Sequence, residues 1–313
     1  MRSVSMLWIC AALCCCGFNG PVRTFEEKGA RLVSVEDAAR LYGWDLCVAP
    51  DGKTWTLSAR DFEIVLRSGS ASARVNGAKM SLIAPVVRRS DGVWLVAWAD
   101  LRHSLKPFLA EGALPPSPVR KIVIDPGHGG RDTGAKRAGM REKDVNLAVA
   151  ERVAAILRKG NFQVVMTRRG DADLSLDARA DRVRTRNADL YVSIHQNAAS
   201  NEKASGMEIY FSPVNRYADA SLRLAHAVLH HALFELGAKP GGRHDRGIKR
   251  ANFRVIRRAD CPAVLLECGF ISNPDDRSRM ADEAYLDDLA QGIAAGIAAY
   301  ADMISDTEED DEP

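Results

Sequence analysis

The chain carries little excess charge of either sign: 43 Lys and Arg stand against 41 Asp and Glu over 313 residues, a formal net charge of +2. That balance gives the whole molecule no reason to bind a polyanion, and no nucleic-acid partner is expected. Long apolar stretches are missing too. The run from Met6 to about Cys16 is too short to span a bilayer as a helix, which excludes a polytopic membrane protein. Proline (13) and glycine (24) are too few for a collagen-like fibre, and 46% hydrophobic residues are too many for a mainly disordered chain. A cysteine framework is also absent. Four of the seven cysteines, Cys10, Cys14, Cys15 and Cys16, crowd one N-terminal stretch, leaving Cys47, Cys261 and Cys268 without framework spacing.

The two ends of the chain have their own character. Arg2, the apolar run, and then Gly17 and Gly20 have the layout of a secretory signal over residues 1–20, so the protein is expected to be exported, to the periplasm or cell envelope. Leu13-Cys14-Cys15 before Cys16 is a poor match to a lipid-attachment motif, and membrane contact is expected only if one of these cysteines carries a lipid. Residues 304–313 read as a disordered acidic tail. The seven acidic residues of 301–313 hide a body whose charge is about +9.

A linker at 111–120, EGALPPSPVR, separates two regions. Residues 30–110 show short alternating runs, with Asp51-Gly52 and Asn76-Gly77 as hairpin signals. A faint internal echo relates Leu32-Val33 and Asp37-Ala38-Ala39 to Leu95-Val96 and Asp100-Leu101-Arg102, each a strand end entering a short helix. The pattern LVSVEDAARLYGW, VNG, LVAWADL resembles the copper amine oxidase N-terminal-like domain, which implies a small β-rich α+β accessory domain. No copper-ligand set accompanies it.

Residues 121–303 change rhythm. KIVID (121–125), FQVVMT (162–167), LYVSIH (190–195), MEIYF (207–211), FRVIR (253–257) and AVLLE (263–267) read as six strands. Helical spacing appears from Val145 to Leu157, from Leu222 to Leu236, and again around Leu286, Leu289, Ile293 and Ile297. The expectation is an α/β domain, a six-stranded, mostly buried sheet flanked by helices.

Strand ends are where such sheets build sites, and here they carry the reactive residues. His128 sits in the loop PGHGG after the first strand, Glu142 opens the next helix, His195 ends LYVSIH, and Glu267 ends AVLLE. Two imidazoles and a carboxylate suit a catalytic zinc with an open position for water. A further carboxylate would carry the water's proton to a leaving amine. Spacing alone leaves each residue equally readable as a satisfied loop histidine or a surface glutamate.

The segments VIDPGHGG, EKDVNLAVA, TRRGDADLSLDAR, SIHQNAA, SGMEIYF and PAVLLECGFISNP, in this order, resemble the zinc-dependent N-acetylmuramoyl-L-alanine amidases of the type-3 family across residues 121–300. The resemblance implies zinc held by His128, Glu142 and His195, with Glu267 as the catalytic glutamate. It implies hydrolysis of the amide between N-acetylmuramic acid and L-alanine in peptidoglycan, for cell-wall remodelling or daughter-cell separation. The partners implied are peptidoglycan as substrate and a regulatory protein of unknown identity. Some family members insert a long helix that blocks the zinc. The roughly forty residues between MEIYF and FRVIR leave room for one ordinary helix, so no built-in plug is expected. Gln196 departs from the small residue common at its place, and Cys268 follows the glutamate, facing away from it by the period of two.

Other features read as secondary. His226 and His230 have i, i+4 spacing without an HExxH glutamate and read as core. His244 is a candidate substrate contact. The basic stretch RHDRGIKRANFRVIRR combines steering of an acidic substrate with a solvated face. The family resemblance implies that Arg179 and Asn187 support the fold rather than the chemistry. Two rival readings are a zinc peptidase cutting within the stem peptide and a wall-binding module without turnover.

Overall fold

The computed structural model describes residues 23–27, 30–59, 61–109, 118–238, 241–242 and 244–309, with the side chains of 305–309 excepted. The expected signal segment, most of the expected linker and residues 310–313 lie outside the described residues. The chain divides into two compact units. One comprises the residues up to Asn76 with Leu82–Glu111, the other Gly77–Ser81 with Gly112–Pro313. In the first, strands run in the order 24–27, 30–34, 94–97 and 87–88. The internal echo is visible there. Leu32 pairs with Ala97 and Val33 with Val96, and each strand runs directly into a helix, Val35–Tyr42 or Trp98–Asp100.

The second unit contains β1 (Ala78–Ser81), β2 (Lys121–Pro126), α1 (Glu142–Lys159), β3 (Gln163–Met166), α2 (Leu176–Arg186), β4 (Leu190–Asn197), β5 (Met207–Phe211), α3 (Ala218–Glu235), β6 (Asp245–Arg250), α4 (Arg254–Arg257), β7 (Ala263–Phe270), α5 (Pro274–Met280) and α6 (Glu283–Glu309). Its strands run in the order β3, β2, β4, β7, β5, β6, β1. All neighbours are parallel except β5 and β7. The buried runs Ile122–Ile124, Leu190–Val192 and Ala263–Leu266 explain the absence of clean alternation in their sequences, because both faces are covered. Alternation decides what each face meets. Val123, Tyr191 and Leu265 pack with Val183 of α2 and Val255 and Ile256 of α4. The long helices α1 and α3 pack on the sheet, and α6 packs against both of them.

Two expectations are corrected. FRVIR is not a strand. Residues 254–257 form α4, and the strand lies earlier, at Asp245–Arg250. Val255 and Ile256 are consecutive and both buried against the sheet, which a one-turn helix achieves and a two-faced strand does not. The stretch 304–313 is not wholly a tail either. The helix α6 continues to Glu309, with Tyr300 and Ile304 fully buried, so its packing carries the backbone into the acidic residues. Between β5 and β6 the described residues hold one helix, α3.

Candidate active site

The register of the central strands aligns the site. His195 of β4 stands beside Glu267 of β7, and Glu267 stands opposite Glu208 of β5. Asp125 is aligned with Ser193, so the period of two turns Asp125, Ser193, His195 and Glu267 toward the same face. That face opens into a cavity of about 660 Å3, lined in part by His128, His195, Glu267, Leu176 and Phe253.

His128, Glu142 and His195 meet at the mouth of β2 and β4, offering ligand atoms that all lie within 4.8 Å of one another. Glu142 Oε1 is 3.1 Å from His128 Nε2 and 2.9 Å from His195 Nδ1. The other carboxylate oxygen, Oε2, accepts from the Ala135 amide at 2.9 Å. Asp132 Oδ2 lies 2.8 Å from His128 Nδ1, an orienting contact typical of metal-bound imidazoles. Burial disfavours charge on Glu142, but the two imidazoles more than offset it and hold the carboxyl well below its usual range. Burial likewise opposes charge on His128, yet Glu142 and Asp132 raise its pKa to about 9. This donor set fits zinc: two imidazoles and one carboxylate with an orienting partner already in place.

Backbone geometry explains why glycine and two arginines surround the histidine. His128 itself has a left-handed φ of 59°, sparsely populated for a residue with a Cβ. A Cβ on Gly127 would fall 2.2 Å from the His195 ring, so only glycine lets the loop pass that close. The loop is then tied down by its carbonyls. Arg168 donates to Pro126 O at 3.0 Å and Gly127 O at 2.9 Å, and Arg179 donates to Pro126 O at 2.8 Å and to His128 O. Arg179 also pairs with Asp125 at 2.7 Å. Asp125, fully buried, further accepts from Thr167, from Tyr191 at 2.6 Å and from Ser193 at 2.9 Å. Burial would raise the Asp125 carboxyl, but Arg179 and these hydroxyls bring it below the usual carboxylate range.

Glu267 is a different carboxylate. Its Oε2 is buried without a hydrogen-bond partner, and burial, helped by the charges of Glu142 and Glu208, pushes its pKa up to about 8. Glu208 beside it is fully neutralised, by Asn197 at 2.7 Å, Tyr210 at 2.6 Å, Arg246 at 2.6 Å and Lys249.

Several secondary expectations change. His244 does not line this cavity; it borders a separate one of about 360 Å3 with Cys268, Leu233 and Tyr285. Its Met207-facing carbonyl shows why, since the turn into β6 carries the ring toward α3 and α6. Cys268 faces that side of the sheet as well, away from Glu267. The His226 and His230 rings stack on α3, centroids 5.8 Å apart. Arg179 does more than support the fold, because it holds the loop that carries His128. Asp125, Asp132, Arg168 and Glu208 were not singled out from sequence. Asp125 had a visible signal, a carboxylate at the end of an otherwise apolar strand. Glu208 had the same signal inside MEIYF.

Residues 122–299 match the N-acetylmuramoyl-L-alanine amidase family. The chain is 38% identical over 179 residues to the N-acetylmuramoyl-L-alanine amidase LytC of Bacillus subtilis, covering 57% of this chain and 35% of LytC. It is 33% identical over 212 residues to the probable cell wall amidase LytH of Staphylococcus aureus, covering 66% of each. Among solved structures, the N-acetylmuramoyl-L-alanine amidase of Clostridium difficile 630 superposes with a TM-score of 0.55 at 38% identity, covering 59% of this chain and 98% of that one. The chain therefore spans about a third of LytC but nearly all of that solved structure. It belongs to the N-acetylmuramoyl-L-alanine amidase family.

Proposed function

We propose that the protein is a zinc-dependent amidase of the cell envelope that hydrolyses the bond between N-acetylmuramic acid and L-alanine in peptidoglycan. The observation that carries this reading is a three-residue donor set whose two histidines line the same cavity as Glu267, a separate glutamate with a buried, unpartnered Oε2. His128, Glu142 and His195 would hold the metal, with Asp132 orienting His128. Bound there, zinc lowers the pKa of a water and polarises the scissile carbonyl. Glu267 takes the attacking water's proton and then delivers it to the departing L-alanine amine, a task suited by a pKa near neutrality. Leu176 and Phe253 add apolar surface to the wall of the cavity that Glu267 also lines.

Residues 1–20 direct export and residues 30–110 serve as a copper amine oxidase N-terminal-like accessory domain in this reading. The names of LytC, an N-acetylmuramoyl-L-alanine amidase, and LytH, a probable cell wall amidase, support a wall substrate. No helix among the described residues is long and apolar enough to cross a membrane. Incubating the protein with intact sacculi and identifying new termini by mass spectrometry tests the assignment. Free L-alanine amino termini on released peptides are expected. Cuts inside the peptide would instead identify a peptidase, and binding without release a non-catalytic module.

A further inference from the structure

The basic stretch 243–258 reads in sequence as a mixture of substrate-steering cations and a solvated face, and four of its charges face carboxylates. Arg246 and Lys249 pair with Glu208, and Arg254 and Arg258 pair with Asp177. Other cations without carboxylate partners lie elsewhere. A cavity of about 490 Å3 beside β3 is lined by Arg168, Arg169, Arg182 and Arg186, with apolar residues and Thr167 completing its wall and no acidic residue on it. Arg169, Arg182 and Arg186 have no carboxylate partner among the described residues. Arg182 and Arg186 are one turn apart on α2, a like-charge spacing that disfavours the helix. Arg168 at the base is only 4% exposed, and its guanidinium meets carbonyl oxygens of Pro126, Gly127, Lys143 and Gly170. Burial, together with the neighbouring charge of Arg179, lowers its pKa from the usual arginine value.

Three guanidinium groups without carboxylate partners, those of Arg169, Arg182 and Arg186, around an acid-free cavity are an uncompensated arrangement that a multiply charged oxyanion would complete. We infer that this cavity is a phosphate-binding site, distinct from the metal centre and separated from it by the segment that carries Leu174, which lines both cavities. Phosphate fits better than a carboxylate for a reason of charge and valence. A carboxylate brings one charge and two acceptor oxygens. A phosphate group brings up to two charges and three acceptors, which can engage Arg169, Arg182 and Arg186 together, each through a planar fork. The ligand is either a small phosphate compound or a phosphate-bearing polymer; an internal polymer unit carries one charge and two free oxygens, so a polymer would engage the three arginines through adjacent units.

Isothermal titration of the full-length chain with inorganic phosphate, and separately with linear polyphosphate, tests this. Saturable binding of phosphate is expected, weakened about tenfold or more in R182Q/R186Q and also reduced in R169Q. Arg257 is exposed on α4 and does not line the cavity, so R257Q removes one charge elsewhere and should leave affinity unchanged. Far-UV circular dichroism of each variant confirms that helix content is retained. Polyphosphate binding about tenfold tighter per phosphate would identify a polymer ligand, and equal affinity per phosphate a small one. Absence of saturable binding by either probe overturns the inference. So does binding that R182Q/R186Q leaves intact, or that R257Q weakens as much. None of these outcomes depends on amidase activity.

Discussion

Glu208 and Glu267 stand opposite each other across the antiparallel pair β5–β7, yet only Glu208 is neutralised. Glu208 accepts from four side chains, while Glu267 Oε2 accepts from none. Two adjacent carboxylates thus have opposite tendencies, one held ionised and one pushed toward its protonated form. Separation of this kind marks acid–base assignments in hydrolytic sites.

Glu267→Gln should abolish proton transfer without disturbing the donor set. Release of peptides from sacculi is expected to fall by about 10²–10⁴-fold, while zinc content, measured by atomic emission on the purified protein, stays at the wild-type value. Retained turnover would remove Glu267 from its role.

The same substitution has a stability consequence in chelator-treated protein. Glu267 has a folded pKa of about 8, raised from 4.5, so the folded state binds more protons than the unfolded state between these values. Its contribution therefore becomes increasingly unfavourable as pH rises through that window. His128, raised to about 9, also loses its favourable contribution as pH rises, so comparing wild type with Glu267→Gln isolates the glutamate. Urea denaturation should show the variant gaining stability over wild type between pH 5 and pH 8.5, on the order of 4 kcal/mol at the high end. Equal pH slopes for the two proteins would count against the raised pKa.

Asp132→Asn removes the carboxylate that orients His128 Nδ1. Zinc affinity, measured by competition with a chromogenic chelator, is expected to weaken about 10–100-fold, with the unfolding midpoint of the metal-free protein changing far less.

Arg179→Gln breaks the buried pair with Asp125 and releases the carbonyls of Pro126 and His128. Leaving Asp125 buried without its counter-charge should cost about 3–5 kcal/mol in denaturant unfolding. Zinc affinity should fall with it, since the loop and the ion pair share one guanidinium. A stable variant with unaltered zinc binding would show that the loop holds itself.

Much of this was legible in the sequence because strand ends and glycine loops announce themselves. KIVIDPGHGG and LYVSIH placed His128 and His195, and the helix opening at Glu142 followed from the apolar spacing behind it. Long-range polar partners were not legible. Arg168 and Arg179 reach Pro126, Gly127 and His128 across 41–53 positions, and no local pattern encodes that reach. FRVIR misled because two adjacent β-branched residues look like a buried strand until the sheet position is taken by Asp245–Arg250. Nor do charge counts show which cations of the basic stretch already face a carboxylate.

Strand β1 precedes the proline-rich linker in sequence but belongs to the second unit, where Met80 pairs with Ile248 and the Lys79 amide donates to Asp245 at 2.8 Å. A gene cut at the linker would thus leave one backbone edge of Asp245–Arg250 bare, inviting intermolecular strand pairing. Solubility rather than chemistry then decides how the hydrolytic half can be produced by itself. A silent, aggregated 121–303 fragment would report a missing strand before it reported a missing activator.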